Sequence, residues 1–193
     1  DDLFHISTLG FRGEALSSIA AVSVVTLTTR TAEEEAGTRL TVDNGAVRKN
    51  VPVAATVGTS IEVRALFASV PARLKFLKNP RTESGYIGDY VTRMMMARPD
   101  IAFHFINNGK TVYQTYGDKK LLNAIVAVYG TGLLPHLAEV LLDDGYLRVE
   151  GFVGTGEISR QNRMQQSFFV NGRYIRSFAL SNALQYAFDT RIM

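Results

Sequence analysis

The 193-residue chain contains no cysteine. That excludes a disulfide framework, a thiolate metal site and a thiol nucleophile, and it fits a reducing compartment. Histidine is scarce as well. His5, His104 and His136 stand far apart, without the spacing of a ligand set, and are expected to be structural or surface residues. No apolar run is long enough to cross a bilayer, and no signal-peptide pattern is present. A soluble, cytoplasmic protein with no membrane partner is therefore expected. Charge of one sign is missing from one stretch: between Glu157 and Asp189 there is neither Asp nor Glu.

With 46% hydrophobic and 20% charged residues, the chain can build one large or two small domains with real cores. The formal charge of +3 is no nucleic-acid signature by itself, although the pI of 9.2 leans basic. Arginine, the better phosphate fork, outnumbers lysine. The chain opens on Asp1-Asp2-Leu3 without an initiator Met and stops at Met193 directly after a helical pattern. An internal piece of a longer protein is expected.

The patterning alternates short strands with helices. Residues 22–29 are rich in β-branched side chains and predict a strand, followed by an acidic turn at Glu33-Glu34-Glu35. Residues 38–43 and 46–51 predict a hairpin around Asn44-Gly45. Residues 59–65 alternate Ile61, Val63 and Ala65 with Glu62 and Arg64, which predicts a half-buried strand. Pro71 opens a short helix. A longer helix is expected from about Thr82, as N-cap, to Ala97, with Tyr86, Ile87, Tyr90, Val91, Met94 and Met95 packed into the core. A hairpin around residues 107–110 leads to Gly117-Asp118-Lys119-Lys120, the candidate domain boundary. Beyond it come a helix closed by Gly130, a hairpin around Asp143-Asp144-Gly145, and a polar loop over 157–166. A hairpin with Asn171-Gly172 at its turn follows, then a last helix from near Ser177 with Leu180, Ala183, Leu184, Ala187 and Phe188 inward.

The stretch Thr8-Leu9-Gly10-Phe11-Arg12-Gly13-Glu14-Ala15-Leu16 carries the chemistry. Two glycines bracket Phe11 and Arg12, and Ala15, Leu16, Ile19 and Ala20 then repeat at helical spacing. A glycine loop entering a helix presents unpaired N–H groups and a positive dipole end, so a phosphate fits there as readily as an ordinary turn does. The wording of this stretch, continued by Ser18-Ile19-Ala20, closely resembles a signature of the MutL family of DNA mismatch-repair proteins. Two later blocks agree with it: Gly58-Thr59-Ser60-Ile61-Glu62-Val63 leading to Pro71-Ala72-Arg73-Leu74-Lys75-Phe76-Leu77, and Phe168-Phe169-Val170-Asn171-Gly172-Arg173.

The resemblance implies an α/β (α+β) chain in two parts. Residues 1–117 would be the C-terminal portion of a GHKL (Bergerat) ATPase fold, a mixed sheet with helices on one side. Residues 118–193 would be a ribosomal-protein-like βα transducer domain. It further implies ATP and Mg2+ as cofactors, with phosphate contacts at Gly10, Phe11, Arg12 and Gly13. Thr59 would stand near the adenine end. In the family, the catalytic Glu, the metal-binding Asn and an adenine-binding Asp lie upstream of Asp1, and a phosphate-touching Lys lies beyond Met193. No catalytic or metal-ligating residue is therefore expected within the chain, and no ATP hydrolysis by it alone. Glu14 is accounted for by helix-start stabilisation. Asp43-Asn44-Gly45 imitates an adenine-binding motif of this ATPase superfamily. Val47 replaces its second glycine, however, and the triplet follows the glycine junction instead of preceding it, so it is expected to be a turn only.

The second candidate site lies in the acid-free stretch. Arg160, Arg163, Arg173 and Arg176 are interleaved with Gln161, Asn162, Gln165 and Gln166, a set suited to phosphates and sugars. A solvated basic loop explains the same run, and the resemblance favours DNA. Arg173 is the leading residue; the run from Arg73 to Arg81 is a weaker candidate. The function implied is an ATP-dependent, homodimerising DNA matchmaker. It would couple a mismatch-sensor protein to a strand-incision endonuclease and bind DNA largely without regard to sequence. Another GHKL ATPase, such as a type II topoisomerase subunit, and a non-enzymatic basic nucleic-acid scaffold remain as alternatives.

Overall fold

The computed structural model describes residues 14–158 and 162–189. They fall into two compact units, one ending at Asn79 and one beginning at Pro80. In the first unit, α1 (Ala15–Ala20) leads into a four-stranded antiparallel sheet. Its strands are β1 (Val24–Arg30), β2 (Gly37–Asp43), β3 (Ala46–Val53) and β4 (Gly58–Arg64), ordered β3-β2-β1-β4. The short helix α2 (Pro71–Leu74) follows, with proline in its first turn as the sequence predicts. Ser23 is buried at the junction of α1 and β1, where its hydroxyl donates to the Ile19 carbonyl at 2.6 Å and satisfies the helix end.

Among the described residues the sheet is antiparallel and not mixed, because β1, β2 and β3 are joined by short turns and no helix crosses between these strands. Asn44-Gly45 makes the β2–β3 turn with both residues at positive φ, as expected for a tight hairpin. The strand expected to be half-buried is exposed along its length. It lies at the sheet edge, and Ile61 and Val63 keep 45% and 42% of their surface in water. Alternation correctly identifies a strand, but burial depends on what covers its face.

The second unit begins with α3 (Pro80–Ala97) and the hairpin of β5 (His104–Asn107) and β6 (Lys110–Gln114). Then come α4 (Leu121–Tyr129), a 3-10 turn at Thr131–His136, and the hairpin of β7 (Leu137–Asp143) and β8 (Arg148–Gly154). A 3-10 turn at Gly156–Ile158 occupies the start of the expected loop. The chain continues through the short hairpin of β9 (Phe168–Val170) and β10 (Arg173–Ile175) to α5 (Phe178–Asp189).

Three expectations change here. Helix α3 starts at Pro80, so Thr82 lies inside it and is not its N-cap. Its buried face carries Gly88, Thr92, Met95 and Met96, while Tyr86, Ile87 and Tyr90 point to solvent. The small Gly88 lets Tyr113 approach, and the Thr92 hydroxyl is satisfied by the Asp89 carbonyl at 3.0 Å. Both residues look polar in a periodicity count yet pack well, which turns the expected face aside. On α5, Leu184 and Phe188 are half-buried but Leu180, Ala183 and Ala187 are exposed.

The compact units also do not divide at 117/118, where the sequence places a domain boundary. Gly117 lies against the backbone of residues 100–102, and α4 packs on both α3 and β6. The core here is Met95, Met96 and Ala124, with buried Thr115 accepting from Phe103 N–H at 3.0 Å.

Candidate nucleotide and nucleic-acid sites

The glycine junction at Gly10, Phe11, Arg12 and Gly13 lies outside the described residues, as does Arg160. Glu14, the first described residue, precedes α1 as its N-cap, and its carbonyl accepts the Ser17 hydroxyl at 2.9 Å and the Ser18 N–H at 3.0 Å. The helix start is thus held by the Glu14 backbone, and the side chain makes no capping hydrogen bond.

Thr59 stands second on edge strand β4, directly across from Thr29 on β1. The same register sets Ile61 across from Leu27 and Val63 across from Val25. Cross-strand partners share a face, so one face of the sheet is apolar along its middle and ends in a threonine pair. The two hydroxyl oxygens are 2.8 Å apart, and Thr29 also reaches the Gly58 carbonyl at 3.3 Å. If Thr29 donates to that carbonyl, Thr59 donates to Thr29 and keeps its own lone pairs available. Such a pair can orient a water or a neutral ring nitrogen. It has no charge to move and cannot serve as a general base.

Thr26, Thr28, Arg39, Ser60 and Glu62 from the opposite face, with Ile61 between the last two on β4, line a shallow depression of about 530 Å³. There Arg39 Nε donates to the Thr28 hydroxyl at 3.2 Å. In the same unit the Arg73 guanidinium sits 5.9 Å from the Phe67 ring centroid, so the first cation of the Arg73–Arg81 run lies against an aromatic ring.

In the second unit, Arg163, Arg173 and Arg176 surround the β9–β10 hairpin and α5. Arg163 donates to Asn182 Oδ1 at 3.0 Å and lies 5.8 Å from the Phe178 ring centroid. It is exposed but tied to α5, not loose on a loop. Arg173 opens β10 and is half-exposed, and Arg176 follows the strand in the open. The turn between the strands uses Asn171 and Gly172, both at positive φ (50° and 74°), which asparagine and glycine adopt at least cost.

The sequence did not disclose Arg93. Its guanidinium lies 4.5 Å from the Tyr174 ring centroid, and Tyr174 in turn meets Phe169 edge-on at 5.8 Å. Helix α3 is thereby fastened to the hairpin that carries Arg173. The residues are 81 positions apart by number, and no local pattern could have paired them. Nearby, the Tyr129 phenol is pushed above its ordinary value, first by burial, against a hydrogen bond from Ser167 that opposes the rise. At the expected boundary, Asp118 is held below the usual carboxylate range by hydrogen bonds from the Asn123 amide and the Lys120 N–H, which tie it to the residue that precedes α4 and to the helix's first turn. It lines a cleft of about 380 Å³ with Tyr116, Lys120 and Asn123. Among the described residues no group of His, Asp or Glu gathers to hold a metal ion, and no helix is long and apolar enough to cross a membrane.

Residues 125–193 match the family model described as DNA mismatch repair protein, C-terminal domain. The whole chain is 43% identical to a DNA mismatch repair protein MutL of Desulforamulus reducens over 192 residues, covering 30% of that protein. It is 44% identical to the MutL of Staphylococcus saprophyticus over 193 residues, covering 29% of it. The chain thus spans about three tenths of the length of these relatives. Among solved structures it is similar to the Aquifex aeolicus MutL ATPase domain complexed with ADP, at 26% identity and a TM-score of 0.76. That match covers 96% of this chain and 69% of the other. The N-terminal domain of a DNA repair protein superposes with a TM-score of 0.78 at 24% identity, over 96% and 61%, a likeness of fold.

Proposed function

The chain belongs to the MutL family of DNA mismatch repair proteins, and from that premise we propose that it is part of an ATP-gated matchmaker that binds DNA. Its fold is α/β, that of the later part of a GHKL ATPase region. In this reading the unit ending at Asn79 contributes one wall of the nucleotide pocket, and the unit beginning at Pro80 leads into a transducer. ATP is gripped by backbone N–H groups at Gly10, Phe11, Arg12 and Gly13, and the Thr29–Thr59 hydroxyl pair orients a water or a base nitrogen at the adenine end. The observation that carries the nucleotide reading is the likeness of almost the entire chain to an ATPase domain complexed with ADP.

Mg2+ would neutralise the triphosphate charge when bound. The described residues offer no carboxylate or histidine cluster for it, so none of them is assigned as its ligand. DNA is bound through Arg160, Arg163, Arg173 and Arg176, which grip phosphates and so act on any sequence. Homodimerisation on ATP, a mismatch-sensor protein upstream and a strand-incising endonuclease downstream complete the proposal.

Two variants of the intact protein test it. Gly13→Val places a β-branched side chain where the backbone must approach the phosphates, and should weaken binding of a fluorescent ATP analogue. Unchanged affinity would remove the glycine junction from the pocket. Arg173→Glu should weaken binding to all DNA sequences alike and reduce the salt-dependence slope by about one unit for each phosphate that is no longer neutralised. Unchanged affinity at low salt in a folded variant would remove Arg173 from the DNA surface.

A further inference from the structure

We propose that Asn171-Gly172, at the tip of the β9–β10 hairpin, is a modification site: the Asn171 amide is lost as ammonia, and the carboxylate left behind weakens the arginine surface beside it. The site stands on the geometry of the hairpin. Only its effect rests on the DNA reading above.

The reaction needs an asparagine whose following residue offers a bare, reachable N–H. Hydroxide takes the proton from Gly172 N, and the nitrogen attacks Asn171 Cγ. The N–Cγ bond forms, the Cγ–Nδ2 bond breaks, and the side-chain nitrogen leaves as ammonia with a proton from water. A five-membered imide results. Water then adds to either carbonyl of that ring and opens it, giving aspartate or isoaspartate. Nothing is oxidised or reduced, and glycine has no side chain to obstruct the attack.

Three Asn-Gly turns, all at positive φ, share this sequence, and the structure separates them. At Asn44-Gly45 every participant is held. Gly45 N–H donates to the Ala20 carbonyl at 2.8 Å, Asn44 Nδ2 donates to Asp43 at 2.8 Å, and Asn44 Oδ1 accepts from the Ser69 hydroxyl. The ladder behind that turn runs the length of β2. Asn171 and Gly172 are exposed, and a Cβ built on Gly172 would meet nothing within 4 Å. Among the described residues neither the Asn171 side chain nor the Gly172 N–H has a hydrogen-bond partner. The β9 and β10 strands are three residues each, and so short a hairpin opens locally at little cost, which lets the ring close. Asn108-Gly109 is also exposed, but it lies on β5–β6, outside the acid-free stretch.

The effect follows from charge. Between Glu157 and Asp189 the sequence carries no acid. Conversion of Asn171 puts the first carboxylate into that stretch, in the turn that leads directly to Arg173. The new charge repels phosphate where the arginines attract it. Isoaspartate also lengthens the backbone by one methylene, in a hairpin with little ladder to hold its register.

The test incubates the intact protein at mildly alkaline pH, folded and in urea, for long enough to convert Asn171 in urea. Peptide mass spectrometry with isoaspartate-specific methylation then reads each site. Asn171 should convert in both samples and Asn44 in urea alone. Asn171 intact in the folded protein, or Asn44 converting there alongside it, would overturn the site. Binding to a labelled duplex tests the effect. Asn171→Asp should lower affinity about threefold at low ionic strength, and less as salt is raised. Asn171→Gly keeps a turn that accepts positive φ and has no amide to lose, so it should hold its affinity through an incubation that weakens the wild type. Wild-type binding by Asn171→Asp, with Arg173→Glu weakened, would overturn the effect. Wild-type binding by both would overturn the DNA reading and leave the modification site standing.

Discussion

Gly117 decides whether the stretch at 117–120 is a linker or a packed corner. Its φ is +69°, and a Cβ built on it would lie 2.9 Å from Ala102 N, 3.0 Å from the Asp100 carbonyl oxygen and 3.2 Å from Ile101 C. All three are backbone atoms and cannot swing aside. The corner is fastened on both sides: Lys119 N–H donates to the Pro99 carbonyl at 3.0 Å, and Arg98 holds Asp100 through two bonds of 2.8 and 2.7 Å. Gly109, in the β5–β6 turn, is the control. Its φ is similar at +75°, but nothing lies within 4 Å of its Cβ position.

Gly109→Ala should therefore cost only the left-handed backbone term, about 1–2 kcal/mol. Gly117→Ala should cost that term and, in addition, about 1–3 kcal/mol for overpacking against a backbone that resists displacement. Urea unfolding of the two variants beside the wild type, with slopes compared to confirm that only stability has changed, measures the difference. Equal destabilisation of the two variants would refute the close approach and return the stretch to the flexible linker its composition suggests.

Met95 is fully buried, so Met95→Ala should destabilise by about 2–5 kcal/mol, read from the urea midpoint; a loss below about 1 kcal/mol would show that α3 does not seal this core. Asp100 is drawn down to about 2 by its hydrogen bonds from Arg98. A depressed carboxylate stabilises the folded chain above its unfolded value near 4, and that contribution fades as pH falls towards 2. The stability gap between wild type and Asp100→Asn should accordingly be constant above about pH 5 and close below about pH 4, and a gap that persists to about pH 2 would contradict the pairing. Arg93→Met keeps the apolar stem but removes the charge over Tyr174, and should raise hydrogen exchange in β9 and β10, whose three-residue strands are marginal without α3. Unchanged exchange there would show that the hairpin is held in some other way.

The sequence by itself determined the local structure and the family. Asn-Gly turns at 44–45, 108–109 and 171–172 were legible because few residues accept positive φ at such corners. The β-branched run of β1 and the proline at the start of α2 were equally plain, since each depends on its own backbone geometry. The three ordered blocks around Gly10, Thr59 and Arg173 named the family for the same reason: they are strings of residues, readable in one dimension.

Tertiary structure decided what depends on neighbours. Burial of β4 was not legible, because alternation describes a strand's two faces and not what lies over either of them. The inward face of α3 was not legible either, because Gly88 and Thr92 pack where a hydrophobicity count sees polarity. The Thr29–Thr59 hydroxyl pair and the Arg93–Tyr174 stack join residues from separate elements, and only the sheet register and the seating of α3 on β10 bring them together. A linear pattern carries the preference of each residue for its own backbone. The pairing of distant side chains is set by how the elements share a limited apolar surface, and that is a property of the folded chain alone.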